Sequence, residues 1–184
     1  MTDKKGLNLP TITKVTEVSK SKLFTVEALD LTFTNGVKRQ YERVKGGGRG
    51  AVLVVPVDSR GDLILVREYC AGTHDYQLGF PKGLIDPGES AMQAGNRELM
   101  EEAGYGANQF VELKLVSLAP SYFNAKMHIL LAQDLYEKKL EGDEPEPLEI
   151  VKWPLSDWQN LLTQPDFTEA RSVAALMLVK QYLS

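Results

Sequence analysis

Apolar and polar residues alternate along the early part of the chain in a pattern that predicts antiparallel strands. Two such runs, Leu23–Phe33 and Val37–Val44, flank the dipeptide Asn35-Gly36, which favours a two-residue hairpin turn. Ile12–Val18 has the same character and predicts a third strand before the hairpin. Together these runs predict an N-terminal antiparallel β unit.

Continuous apolar runs follow and predict buried strands. Ala51–Val57 and Leu63–Tyr69 are separated by a turn sequence that begins at Asp58 and contains Gly61. Further runs predict strands at Val111–Leu118, Met127–Leu135 and Ile150–Trp153, and helices at Asp157–Leu162 and Glu169–Leu183.

Between these groups of strands, one segment has the marks of a helix that is bounded at both ends. Ser90 and Gln93 have the spacing of a capping box, and Gly104 is a natural left-handed stop. The sequence therefore predicts a helix over Ala91–Ala103. Small and apolar residues recur every four positions and predict a narrow stripe that packs on a sheet: Ala91, Gly95, Leu99 and Ala103.

Three glutamates of this helix are predicted to share a face that points away from the packed stripe. At roughly 100° per residue, Glu98, Glu101 and Glu102 fall within about a third of the helix circumference. Like charges at these spacings repel, so we expect something positive here, and carboxylate oxygens are ligands that Mg²⁺ or Mn²⁺ prefers. Arg97 is placed to orient Glu101 or to reach back toward Glu89. The alternative interpretation is a solvated acidic helix face.

The spacing of these residues resembles the Nudix box. That motif consists of Gly, five residues, Glu, seven residues, Arg-Glu, an aliphatic residue, any residue, Glu-Glu, any residue, Gly, and an aliphatic or similar residue. The chain fills every fixed position, and only Tyr105 stretches the last one: Gly83, Glu89, Arg97-Glu98-Leu99, Glu101-Glu102, Gly104 and Tyr105. The resemblance implies an α/β fold, the Nudix α/β/α sandwich with a mixed sheet, here with the N-terminal antiparallel β unit added.

The resemblance also implies hydrolysis of a nucleoside diphosphate linked to another moiety, with a divalent metal held by the box. Glu98 and Glu102 then correspond to the principal metal ligands, and Glu101 joins them directly or through water. The backbone carbonyl of Lys82 resembles a further ligand. Mg²⁺ is the expected cofactor, with Mn²⁺ as a substitute.

The loop that leads into the helix has supporting roles in the same resemblance. Glu89 and Arg97 resemble an ion pair that holds the loop against the helix. Gly83 and Gly88 allow the stretch from Lys82 to Glu89 to fold tightly enough to bring its backbone toward the metal.

The general base of some Nudix branches is a carboxylate on a later loop, and Leu140–Pro147 is a candidate for that loop. Its sequence, LEGDEPEP, holds four acids among residues that break regular structure. Glu144 is the first choice as the base, with Glu141 and Glu146 in reserve. A solvated acidic turn is the alternative.

The rest of the chain resembles the ADP-ribose pyrophosphatase-like branch of the family. Pro120 lies fifteen positions after Tyr105, as does a proline that marks ADP-ribose-type members. The resemblance implies that this chain hydrolyses the pyrophosphate bond of ADP-linked compounds (ADP-ribose, NADH and diadenosine triphosphate) and releases AMP. The alternatives are a non-catalytic nucleotide-sensing Nudix protein and a hydrolase of another nucleoside diphosphate, such as a sugar nucleotide.

Candidate substrate contacts are less well marked than the metal site. Cys70 stands where ADP-ribose pyrophosphatases usually have an arginine, so a phosphate contact of that type is missing. Guanidinium groups pair with phosphate oxygens in a fork, and aromatic rings stack on bases. The candidates are Arg67, Arg43, Arg39, Tyr122 and Phe123. Ordinary surface arginines and core aromatics are the alternative.

Composition and charge limit the ligands and the cellular locations expected for the protein. A formal charge of −4 with scattered lysines argues against a polynucleotide groove. Cys70 is the single cysteine, so no intrachain disulfide forms and a reducing compartment suits the chain. The first residues show no apolar signal core and no run is long enough to span a membrane, so a cytoplasmic location is expected.

Length predicts one domain. The 184 residues are expected to form a single Nudix hydrolase domain over residues 1–184, with residues 1–45 as an N-terminal β subregion. The resemblance to the ADP-ribose pyrophosphatase branch implies that this subregion builds a homodimer whose partner contributes to the substrate pocket. The competing possibility is that the hairpin folds onto its own sheet.

Overall fold

The computed structural model describes residues 8–184, so the first seven residues of the predicted N-terminal subregion lie outside the described part of the chain. The described chain divides into two compact units. The N-terminal unit consists of residues 8–48 with Ser117–Ala125, and the main unit consists of Arg49–Val116 with Lys126–Ser184.

The N-terminal unit is an antiparallel meander of three strands, as the sequence predicted. Its strands are β1 (Thr11–Lys20), β2 (Thr25–Thr32) and β3 (Lys38–Lys45), with β2 in the middle. Val44 of β3 also pairs in parallel with Phe123 of the second segment of this unit. The whole of β1 is exposed, whereas the centre of β2 is buried.

The hairpin turn between β2 and β3 differs from the predicted two-residue form. Phe33 donates its backbone N–H to the Val37 carbonyl, and Gly36 donates to the Phe33 carbonyl. Gly36 lies in the left-handed region at φ +82°. The Phe33–Val37 bond therefore closes a loop of three residues, 34–36, a form in which the last residue takes the left-handed conformation that glycine adopts without strain.

The main unit contains a mixed sheet and a smaller antiparallel sheet. Its strands are β4 (Ala51–Pro56), β5 (Asp62–Cys70), β6 (Asp75–Gly79), β7 (Lys82–Leu84), β10 (Glu149–Pro154) and most of β8 (Tyr105–Ala119) and β9 (Phe123–Glu137). In the mixed sheet, β4 runs antiparallel to β7 and parallel to β9, which also pairs with β8. In the smaller sheet, β5 lies between β10 and β6.

Burial explains which of these strands the sequence predicted. Every residue of β4 and the middle of β5 are buried, as their continuous apolar runs indicated. The short strands β6 and β7, with sequences DYQLG and KGL, were not predicted because neither contains an apolar run. The strands β8 and β9 are each 15 residues long and extend beyond the predicted runs.

The predicted helix over Ala91–Ala103 has the predicted length but two conformations. It is the α-helix α1 over Ala91–Glu98 and a π-helical turn over Leu99–Ala103. The turn closes when the Gly104 N–H bonds to the Leu99 carbonyl five residues earlier. Both predicted boundaries are confirmed, since Ser90 and Gln93 form a capping box and Gly104 lies at φ +75°.

The other predicted helices are present with changed lengths. A 3-10 turn at Leu155–Asp157 leads into the short helix α2 (Trp158–Leu161), and α3 spans Ala170–Tyr182. No helix within residues 8–184 has both the length and the apolar character needed to cross a membrane.

Gly95 places α1 close to the mixed sheet. A Cβ atom at this position would lie 2.7 Å from Leu130 Cδ1 and 3.1 Å from Val54 Cγ2, closer than side chains normally pack. Leu99 and Ala103 are also buried, which confirms the small-residue stripe of the sequence pattern. The close approach holds the start of the π turn against the buried strands β4 and β9.

Candidate active site

Two of the three predicted metal-binding glutamates are buried. Glu98, at the end of α1, is 8% exposed, and Glu102, in the π turn, is 5% exposed, whereas Glu101 between them is partly exposed. The interpretation of this face as a solvated acidic surface is therefore wrong for Glu98 and Glu102. Burying charged carboxylates costs free energy unless a cation or a proton compensates them.

Arg97 gathers the acidic side chains of the box. Its Nε and Nη2 atoms donate to the two carboxylate oxygens of Glu89, each at 3.0 Å. Its Nη1 atom donates to Glu98 at 2.8 Å and to Glu101 at 2.9 Å, and Nη2 also reaches the Leu84 carbonyl at 2.9 Å. The predicted Arg97–Glu89 pair is present, and the same guanidinium holds two further carboxylates.

This hydrogen-bond network changes the pKa values of Glu89 and Arg97. The hydrogen bonds from Arg97 lower the pKa of Glu89. The bonds with Glu89, followed by those with Glu98, raise the pKa of Arg97 despite its partial burial. The guanidinium and the Glu89 carboxylate are thus held in their charged forms.

Glu98 lies directly against the backbone of β7. A Cβ atom at Gly83 would overlap the Glu98 carboxylate, so only glycine leaves room for this side chain. Burial raises the pKa of Glu98, the bonds with Arg97 oppose the rise, and the nearby charges of Glu101 and Glu144 add to it. Gly83 therefore allows a carboxylate to lie beside the peptide whose Lys82 carbonyl the sequence predicted as a metal ligand.

Glu102 accepts a hydrogen bond from the backbone N–H of Lys82 at 3.2 Å. Burial raises the pKa of Glu102 to about 8, the charge of Lys82 opposes the rise, and Glu68 and Glu98 add to it. The Lys82 ammonium itself forms an ion pair with Glu68 on β5. Glu68 was not among the predicted site residues, because no local pattern shows that β5 comes close to the box.

The acidic loop Leu140–Pro147 lies beside the box, and its glutamates occupy different positions. Glu144 is close enough to Glu98 for its charge to raise the pKa of that carboxyl. A Cβ atom at Gly142 would lie 3.6 Å from Glu101 Cβ, so the loop touches the π turn at this point. Glu146 instead accepts a hydrogen bond from the Tyr76 hydroxyl. Of the candidate bases in this loop, Glu144 is therefore the one whose charge acts on a glutamate of the box.

The predicted phosphate contact Arg67 belongs to the main unit and is already paired. Its Nε and Nη2 atoms bond Asp166 at 3.0 and 2.9 Å, and its Nη1 atom bonds Glu149. These bonds, first that with Glu149, raise the pKa of Arg67. The guanidinium fork that was expected to bind phosphate binds two carboxylates in this structure.

The other predicted substrate contacts belong to the N-terminal unit. Arg43 makes a forked pair with the buried Glu27, at 2.9 and 3.0 Å, and Arg39 is exposed on the same strand. Tyr122 is 58% exposed, and its carbonyl accepts a hydrogen bond from Val44 at 2.7 Å. Phe123 is half-buried at the start of β9.

The chemistry of the box carboxylates fits a divalent cation. Among residues 8–184, no three acidic, histidine or cysteine side chains are arranged as a ready ligand set, since Glu98 and Glu101 face Arg97 and Glu102 faces the Lys82 backbone. The donors are nevertheless hard oxygens, and two of the carboxylates are buried with raised pKa values. A small divalent cation supplies the missing positive charge for such a group.

Comparisons with known proteins agree with this geometry. A family model described as NUDIX domain matches residues 48–175, and one described as NudE-type Nudix hydrolase N-terminal domain matches residues 10–43. The ADP compounds hydrolase NudE of Escherichia coli (strain K12) is 58% identical over 179 residues, which cover 97% of this chain and 96% of that protein.

Two further matches cover almost the whole chain. The ADP-ribose pyrophosphatase of Bacillus subtilis (strain 168) is 29% identical over 181 residues, 97% of this chain and 94% of that protein. A crystal structure of ADP compounds hydrolase matches with a TM-score of 0.93 at 57% identity, covering 97% of this chain and 96% of that one. These matches confirm the predicted fold class and the resemblance drawn from the motif.

The raised pKa of Glu102 predicts how the metal-free protein responds to pH. Because the folded pKa is about 8 and the ordinary value is 4.5, the folded state binds more protons than the unfolded state between these values. The contribution of Glu102 to stability is therefore full below pH 4.5 and falls as pH rises toward 8. Glu102→Gln removes this loss, so we expect it to be more stable than the wild type at pH 8 by on the order of 4 kcal/mol.

Urea denaturation in a chelating buffer at several pH values measures this difference. Glu137→Gln, which changes an exposed glutamate of β9, is the control and is expected to follow the wild type at every pH. A difference between Glu102→Gln and the wild type that stays constant from pH 4.5 to pH 8 contradicts the prediction.

Proposed function

The chain belongs to the Nudix hydrolase family, and from that premise we propose that it hydrolyses the pyrophosphate bond of ADP-linked compounds and releases AMP. ADP-ribose, NADH and diadenosine triphosphate are the proposed substrates. The observation that carries the chemistry is the buried pair Glu98 and Glu102 beside the backbone of β7. The names of the relatives from Escherichia coli and Bacillus subtilis support the choice of ADP compounds.

Glu98 and Glu102 are proposed to hold Mg²⁺, for which Mn²⁺ can substitute, with Glu101 and the Lys82 carbonyl completing the protein ligands. Such a cation neutralises pyrophosphate oxygens and lowers the pKa of a bound water. The burial of both principal carboxylates supports this assignment, because each gains most from a positive charge in a site with little water.

Arg97 and Glu89 are proposed to hold the box in shape. Arg97 bonds the side chains of Glu98 and Glu101, and Glu89 accepts two of the bonds that anchor Arg97 to the segment before α1. The ion pair thus connects the position of the loop backbone to the positions of the carboxylates.

Glu144 is proposed as the general base that takes a proton from the attacking water. Its approach to Glu98 supports this choice over Glu146, which is bonded to Tyr76. Glu141 is exposed at the start of the loop and stays in reserve. A base has to reach the reacting water, so its position is considered before its pKa.

Arg67, Arg43, Arg39, Tyr122 and Phe123 remain the proposed substrate contacts. Tyr122 has the best support among them, because more than half of its surface is free to stack on an adenine or nicotinamide ring. For Arg67 and Arg43, binding to a phosphate would require giving up existing carboxylate partners. A small nucleotide is the proposed ligand, and a polynucleotide is not expected.

A homodimer formed through the N-terminal β subregion, residues 1–45, is also proposed. Ile12, Val15 and Val18 of β1 are each about half exposed, at 51%, 48% and 53%. Exposed apolar side chains along a strand are a poor match to water and favour association. The single domain over residues 1–184 and the cytoplasmic location stay predictions, which limited proteolysis and cell fractionation would check.

The first test of the function is product analysis. We expect the purified protein with Mg²⁺ to release AMP from ADP-ribose, NADH and diadenosine triphosphate. Glu102→Gln should lower the rate by at least about 100-fold, because removing even a partner of a metal ligand costs 10–100-fold. Nucleotide products are quantified by chromatography.

A parallel incubation with dGTP separates the alternatives. Inorganic pyrophosphate from dGTP without AMP from the ADP compounds would replace the proposal with triphosphate hydrolysis. If the wild type cleaves nothing with Mg²⁺ or Mn²⁺, the nucleotide-sensing alternative takes its place.

The assignment of the base predicts a difference among the loop glutamates. Glu144→Gln is expected to lower kcat by roughly 100-fold or more and to remove the acidic limb of the pH–rate profile. Glu141→Gln and Glu146→Gln are matched controls in the same loop and should stay within about fivefold of the wild type. A larger loss of kcat in either control than in Glu144→Gln rules out this assignment.

The proposed dimer predicts a molecular mass of about twice 20.5 kDa in light scattering after size-exclusion chromatography. Val15→Glu places a charge among the exposed apolar residues of β1 and should shift the protein toward the monomer. Met177→Glu, a similar change at an exposed apolar residue of α3, should leave the mass unchanged. A monomeric wild type at micromolar concentration would refute the dimer.

A further inference from the structure

The π turn that carries Glu101 and Glu102 has an incomplete set of internal hydrogen bonds. Carbonyls near the end of any helix lack partners inside the helix and need donors from elsewhere. Here the Leu99 carbonyl accepts the Gly104 N–H. The next carbonyls, beginning with that of Met100, point onward from the turn and are bonded by another part of the chain.

The residues Lys138–Leu140, which follow β9 and are called the strap below, supply those donors. The Leu140 N–H bonds the Met100 carbonyl at 3.2 Å, and the Lys138 N–H bonds the Gly104 carbonyl at 3.0 Å. Between these two backbone bonds, the Lys139 ammonium bonds the Glu101 carbonyl and reaches the Glu102 carbonyl at 3.5 Å. The strap thus bonds four carbonyls at the end of the turn.

Lys139 differs from its neighbours because its side chain makes the contact. A positive charge at the C-terminal end of a helix is favourable, since the exposed carbonyls carry partial negative charge. The stem of Lys139 also lies over Gly104, where an added Cβ would be 3.5 Å from Lys139 Cδ. One ammonium therefore holds the backbones of two adjacent residues whose side chains point into the proposed metal site.

The strap leads directly into the acidic loop. Leu140, which bonds Met100, is also the first residue of the loop that contains Glu144. The position of the strap on the π turn consequently sets both the backbone of Glu101 and Glu102 and the starting point of the proposed base loop.

We propose that Lys139 is a positioning residue for Glu101 and Glu102, and that it acts through their backbone carbonyls rather than through the substrate. This inference rests on the proposed function for its kinetic consequence but not for its metal-binding consequence. Groups that orient metal ligands typically contribute 10–100-fold to metal affinity or activity. Lys139 carries that role without being a ligand.

The test compares Lys139→Met, Lys139→Arg and Lys138→Met in the full-length protein. Methionine keeps the approximate length of the side chain and removes the donor, arginine restores a charged donor, and Lys138 is the control because only its backbone bonds the turn. Mn²⁺ binding is followed by electron paramagnetic resonance without nucleotide, and kcat and KM for ADP-ribose are measured across Mg²⁺ concentrations.

Lys139→Met is expected to weaken Mn²⁺ binding and to raise the Mg²⁺ concentration for half-maximal rate by about tenfold each. At saturating Mg²⁺ the KM for ADP-ribose should stay within about twofold, because Lys139 does not contact the substrate. Lys139→Arg should recover most of the metal affinity, and Lys138→Met should resemble the wild type. If Lys139→Met does not fold, Lys139→Leu, which also removes the donor, is measured in the same way and judged by the same outcomes.

Metal affinity unchanged in Lys139→Met overturns the proposal, even if its unfolding midpoint falls, since that result describes a structural cap only. An equal loss in Lys138→Met also overturns it. If the wild type binds Mn²⁺ but cleaves no ADP compound, the proposed function fails while the Mn²⁺ titrations still decide the role of Lys139. If the wild type binds no divalent metal, both the proposed function and the proposed role of Lys139 are refuted.

Discussion

The candidate site depends on the charge of one guanidinium. Glu89, Glu98 and Glu101 all accept hydrogen bonds from Arg97. Without that cation, repulsion among the three carboxylates would favour their separation and a loop that lies farther from α1. Because Arg97 also bonds the Leu84 carbonyl, the same side chain joins β7, the loop and α1. Arg97 consequently both neutralises the carboxylates of the site and fixes the path of the backbone around it.

Local chemistry allowed much of this region to be predicted. The capping box at Ser90, the stop at Gly104 and the spacing of the glutamates are all set by residues within a few positions of one another. The π turn was not predictable in the same way, since its open carbonyls are bonded by the strap, more than thirty residues later in the chain. The burial of Glu98 and Glu102 likewise depends on strands outside the helix, which the sequence pattern of the helix cannot reveal.

Elsewhere in the chain, prediction from the sequence also failed where a structure depends on contacts between residues far apart in sequence. Alternation and apolar runs predicted β1 to β5, whereas β6 and β7 have too few apolar residues to stand out and exist because β5 and β4 offer them partners. Arg67 was expected to bind phosphate, and no local signal reveals that Asp166, ninety-nine positions away, is its partner. Residue type indicates what a side chain can bind, and the fold decides what is within its reach.

The acidic loop is anchored at both ends, by the Leu140 N–H on the Met100 carbonyl and by the Tyr76 hydroxyl on Glu146. Between these anchors lie five residues that belong to no helix or strand and pack little apolar surface. Lengthening a surface loop costs little free energy, because the closure entropy grows only with the logarithm of its length. Insertions and deletions here would therefore leave the fold intact while they change the position of the Glu144 carboxylate. This short stretch can consequently diverge between related proteins independently of the rest of the domain.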